Sequence, residues 1–137
     1  MLYEKLGKIE KLLEGEEYFE GGVTYYLSFH KLNSTLSLKD SLKEQLIELE
    51  VFDLINTNRE LNVIFVQQPK LELKKLCDEW HIYKEISDKI LELINDEIKM
   101  YKFCDDYVYV SSGVVSEIYR IIENEEERIL IDFYITD

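Results

Sequence analysis

Residues 114–136, VVSEIYRIIENEEERILIDFYIT, decide the fold. Val114 to Glu123 and Arg128 to Thr136 are dominated by β-branched and aromatic residues, and they flank the polar stretch Asn124 to Glu127. Two such runs around a short polar connection predict a β-hairpin. In its closing strand Ile129, Ile131, Phe133 and Ile135 fall on one face, which must be covered by other elements. Just upstream, Tyr107 and Tyr109 alternate with Val108 and Val110, and Gly113 marks a turn, so a further strand is expected over Asp106 to Ser111.

The remaining elements follow by working back toward the N-terminus. Pro69 opens a long helical pattern through Leu73, Leu76, Trp80, Tyr83, Ile86, Ile90, Leu93, Ile94 and Tyr101, with a drift in the apolar stripe that predicts a kink or break near His81 to Tyr83. Leu61 to Gln68 reads as a strand whose LNVIFV core is apolar on nearly every residue, the mark of a central strand. Asn56-Thr57-Asn58 separates it from a helix over about Leu38 to Ile55, for which Ser37 is the N-cap with Asp40 in the first turn. Glu16 to Glu20 and Val23 to Leu32 flank Gly21-Gly22, a pair suited to a two-residue hairpin turn. A short amphipathic helix over Leu2 to Glu14, closed by Gly15, comes first. The order α-β-β-α-β-α-β-β-β predicts a single α+β domain over 1–137, with a largely antiparallel sheet of about five to six strands packed against two to three helices.

Composition bounds what such a domain does. The 137 residues carry 29 acids against 16 bases, a net charge of −13, with 46% hydrophobic residues and one proline. That is too apolar for a solvated acidic tail, and too negative for direct binding to nucleic acid or anionic membranes. No apolar run approaches the roughly 20 residues of a membrane span, and two isolated cysteines suggest reduced thiols in the cytoplasm. The excess charge is uneven: residues 101–137 hold nine acids and three bases, so −6 of the −13 lies there.

Three sets of residues bear on chemistry. Cys77 and His81 lie one helical turn apart, and with Cys104 they are the only constellation suggesting zinc or a thiol nucleophile, His30 being the other candidate base. Nothing in the spacing returns Cys104 toward His81, and no glycine-rich phosphate loop or nucleophile turn is present, so neither an enzyme nor a cofactor or metal is expected. Adjacent acids such as Glu16-Glu17, Asp105-Asp106 and Glu125-Glu126-Glu127 read as solvated charge. Ten tyrosines, several on faces that alternation assigns to solvent, offer contact area with a polar tip.

Together these predict a small acidic binding or inhibitor protein whose Tyr-bearing acidic surface neutralises a basic protein partner, such as a nuclease or another nucleic-acid-binding protein. In profile it resembles immunity proteins that block nuclease toxins and phage proteins that act against host defence. The expected partner-binding residues are Glu117, Tyr119, Glu123, Glu125, Glu126, Asp132 and Tyr134. Two alternatives stand beside this: a structural or self-associating subunit, such as a homodimer, and a zinc or thiol enzyme built on Cys77 and His81.

Overall fold

The computed structural model describes residues 1–51 and 61–137. In chain order it contains α1 (Leu2–Leu12), β1 (Tyr18–Glu20), β2 (Val23–Lys31), α2 (Leu38–Glu48), β3 (Val63–Val66), α3 (Pro69–Glu79), α4 (Lys84–Glu92), β4 (Lys99–Phe103), β5 (Ser116–Glu123) and β6 (Arg128–Thr136). The strands form one antiparallel sheet in the order β1-β2-β6-β5-β4-β3. The α+β class and the order of elements agree with the sequence pattern.

The closing hairpin holds the centre. β5 and β6 pair from Ser116↔Ile135 to Glu123↔Arg128, and the turn between them is tied by Asn124, whose Oδ1 accepts from the Glu126 and Glu127 amides. Both strands are buried on both faces. On one face Ile118, Ile122, Ile129, Ile131 and Phe133 join Leu27, Phe29 and Met100 beneath α1, α3 and α4. On the other, Ile121, Leu130 and Tyr119 meet Phe103, Leu42 and Leu46 of α2, and Val51. The result is a sheet between two apolar layers.

On the first face Arg120 is 1% exposed and fully engaged. Its guanidinium donates to Glu72 of α3 and, through two nitrogens, to both oxygens of Asp106. Burial works against its charge, but the hydrogen bonds and charges of Asp106 and Glu72 leave its pKa raised. Arg120 therefore ties a central strand to a helix and to the segment after β4.

Several boundaries differ from expectation, each for a physical reason. The Leu61 to Gln68 run yields β3, an edge strand with Ile64 and Phe65 exposed, where the pattern suggested a central one. The long helix is two helices, and its last residues form β4, which pairs with both β3 and β5. Helical periodicity could not separate these, because Met100 and Phe103 also fit an i, i+3 pattern. Asp106 to Ser111 is not a strand; only Ser111 makes an isolated bridge, to Val51. The second helix ends at Glu48, where Glu50 adopts φ 58° and the Val51 amide donates to the Leu46 carbonyl, a left-handed C-terminal cap. The expected continuation to Ile55 and the Asn56-Thr57-Asn58 break extend outside the described residues.

Other details hold. Gly21 and Gly22 both take positive φ between Glu20 and Val23, as a two-residue turn requires. Ser37 Oγ accepts from the Asp40 amide. The N-terminus of α1 is capped from a distance: Glu127 Oε1 accepts from the Leu2 amide at 2.7 Å and Oε2 from the Tyr3 amide at 3.1 Å. Glu127→Ala should therefore lower stability by about 1–2 kcal/mol, whereas Glu125→Ala, exposed in the same turn, should stay within about 0.5 kcal/mol. Urea unfolding of the two variants measures the difference.

Candidate functional site

The seven residues expected on one acidic surface do not share one. Glu117, Tyr119 and Asp132 are buried, at 1%, 2% and 2% exposure. Strand alternation assigned them to solvent, but the sheet has a second apolar layer on that side, so the outward face is interior. Glu117 Oε1 accepts from the Ser111 amide and hydroxyl, and Ser111 Oγ lies 3.1 Å from the Tyr119 hydroxyl. Asp132 stands opposite Tyr119, with Oδ2 3.8 Å from His30 Nε2 and Oδ1 without a hydrogen-bond partner among the described residues.

This cluster is electrostatically tense. Burial, then the hydrogen bond and charge of Glu117, push the Asp132 carboxyl well above its ordinary range. Burial lowers the pKa of His30 against the pull of Glu117 and Glu48. The Tyr119 hydroxyl is pushed up, first by burial. Burial beside a second carboxyl and a histidine disfavoured as a cation favours the neutral form of Asp132.

The other four residues reach the surface in two places. Glu123, half-buried, accepts from Arg128 Nε at 2.6 Å, and with the exposed Glu125 and Glu126 it lines a broad groove of about 1120 Å³ that also takes in Asp96 and Glu97. Tyr134 lies two residues on from Asp132 in β6, on the same face of the sheet. It stacks on Tyr26 across the β2–β6 pair at 5.0 Å, and burial together with Asp132 raises its pKa to about 12.

Tyr134 opens onto a second concavity of about 250 Å³ that the sequence pattern did not single out. It forms where β1 stops. β1 pairs only with Val23 to Tyr25, so the edge of β2 beyond is uncovered, and Glu10 of α1 accepts from the Phe29 amide there at 2.7 Å. Glu10, Glu14, Glu16 and Glu17 line this cavity together with Tyr18, Tyr25, Tyr83, Trp80 and His81, and among the described residues no lysine or arginine does. Burial, partly offset by the Phe29 bond, raises the Glu10 carboxyl. The signal available in sequence was the Glu16-Glu17 pair beside Tyr18, which read as solvated charge.

Cys77 and His81 do not form a pair on one helix face. α3 ends at Glu79; Cys77 is buried in the core, and His81 lies past the cap with φ 57°. Burial pushes the Cys77 thiol up to about 12, a poor starting point for a thiolate. Cys104 is exposed and follows β4. Among the described residues no group of three or more His, Cys, Asp or Glu is placed to hold a metal ion. No described helix is long and apolar enough to cross a membrane.

No protein-family profile matches the chain, and no curated relative does. Among solved structures it is similar to citrus MAF1 in two crystal forms, each 11% identical and covering 96% of this chain and 98% of that one. The TM-scores are 0.50 for the form in space group C 2 2 21 and 0.48 for that in P 31 2 1. At this identity the likeness is one of fold.

Two outcomes follow from the buried groups. At mildly alkaline pH an aromatic disulfide reagent should label Cys104 at once and Cys77 only when denaturant is added; immediate labelling of both would contradict the burial of Cys77. A carboxyl whose pKa is raised by folding binds protons more tightly in the native state, so its contribution to stability is present below its unfolded pKa and lost as pH rises through the folded one. Asp132→Asn should therefore stabilise the protein at pH 8, on the order of 1 kcal/mol, and by less at pH 4, as compared by urea midpoints.

Proposed function

We propose that this chain is a small acidic binding protein, non-catalytic and cytoplasmic, that neutralises a basic protein partner in the manner of an immunity or anti-defence inhibitor. The observation that carries the reading is the placement of acids that the fold does not use. Glu125 and Glu126 are exposed in the β5–β6 turn and line one groove with Asp96 and Glu97, where acids outnumber the two lysines, Lys5 and Lys99, while Glu14, Glu16 and Glu17 line the separate aromatic cavity. Acids in a concave surface attract a basic partner over long range and raise the association rate more than they tighten the final complex. The aromatic residues supply the contact area that slows dissociation.

Glu123 contributes less than the original pattern implied, because Arg128 already neutralises it. Glu117, Tyr119 and Asp132 act from within, by shaping the second layer. Tyr134 remains at the surface side, in the wall of the cavity.

The test is stopped-flow association with the product of the adjacent gene, with a Lys/Arg-rich peptide as a charge-only control. The rate constant should fall by about tenfold or more from low to high salt and by a similar factor in the Glu125→Lys/Glu126→Lys variant. A rate that ignores both would remove the electrostatic reading. A tight homodimer that binds no basic protein would favour the self-associating subunit instead.

A further inference from the structure

We infer that the cavity between the end of α1, the β1–β2 hairpin and the Trp80–Tyr83 connection is a site for one guanidinium group, an arginine side chain presented by the partner. The inference rests on the proposed function only for the source of the arginine; the chemistry is set by the cavity. Its wall is aromatic: the His81 ring stacks on Tyr18 at 4.1 Å, and Tyr25 meets His81 at 4.9 Å and Trp80 at 5.7 Å, both edge-on. Its rim is acidic, and Glu10 spends Oε1 on the Phe29 amide, leaving Oε2 to accept from a ligand.

The backbone at His81 closes α3. The Ile82 amide donates to the Cys77 carbonyl at 2.9 Å and the His81 amide to the Asp78 carbonyl at 3.3 Å, which is the bonding of a Schellman cap with His81 as its left-handed residue. Glycine is favoured there, because a Cβ is strained at φ 57°. A histidine in that place works against the stability of the cap and positions an exposed ring against Tyr18 and Tyr25.

Arginine suits the cavity better than lysine. The guanidinium is planar and weakly hydrated, so it lies on aromatic rings while its N–H fork addresses a carboxylate; an ammonium holds its water and has no flat face. The volume, about 250 Å³, is below the roughly 300–1,000 Å³ of sites for drug-sized ligands and fits a single side chain.

The experiment is an NMR titration of the full chain with Nα-acetyl-arginine amide, and with the citrulline and lysine counterparts. Saturable shifts at Tyr18, Tyr25 and His81 are expected with the arginine probe, weaker ones with lysine, and none with citrulline, the neutral isostere. Equal response to citrulline or lysine, or none at these residues, overturns the inference. His81→Gly should weaken the arginine probe about five- to tenfold while its urea midpoint is kept or raised; an unchanged affinity counts against the site. Tyr18→Leu, in an edge strand, provides the same readout if the first variant disturbs α3. If a Lys/Arg-rich peptide binds along Glu125 and Glu126 with the cavity residues silent, the guanidinium site is wrong and the proposed function stands.

Discussion

The structure depends on a hairpin that is buried on both of its faces. A strand in a half-exposed sheet can spend every second residue on solvent, but β5 and β6 lie between two apolar layers, and every position then has to be satisfied by protein. Polar residues in such strands cannot be idle. Arg120, Glu117 and Asp132 are the ones that sit in the middle: Glu72 and Asp106 gather around the guanidinium and Ser111 and Tyr119 around Glu117, while Asp132 keeps one oxygen without a hydrogen-bond partner among the described residues.

That double burial explains both what was legible in the sequence and what was not. The hairpin, the Gly21-Gly22 turn, the Ser37 cap and the break near His81 are local, written in turn residues, caps and periodicity within a few positions. Sheet order is not local. β3 reads as central because it is apolar, yet it lies at the edge with Ile64 and Phe65 exposed. The strand that separates it from the core, β4, was absorbed into a helical pattern, because an apolar residue every third position serves either geometry over so short a stretch.

The acids illustrate the same limit. Charge counted along the chain located the excess in residues 101–137, and that count is correct. It did not locate a surface, since Glu127 caps α1, Asp106 and Glu123 neutralise arginines, and Glu117 and Asp132 lie inside. What a carboxylate does is settled by which backbone amides and bases the fold brings to it, and those partners come from up to 125 residues away. The candidate site shifted accordingly, keeping Glu125, Glu126 and Tyr134 and acquiring the glutamates that follow α1.

Those glutamates differ from the C-terminal acids in a way that bears on function. Asp106, Glu117, Glu123 and Glu127 are matched by the fold, so replacing them would be felt first in stability. Glu14, Glu16 and Glu17 line a cavity that has no lysine or arginine among the described residues of its lining. Their mutual repulsion and their proximity to Glu10 favour anything cationic that enters, and Glu14 already contributes to raising the Glu10 carboxyl. A small domain at −13 gains nothing in stability from gathering more negative charge around aromatic rings and a left-handed histidine. On the proposed reading, the positive charge is supplied by another molecule.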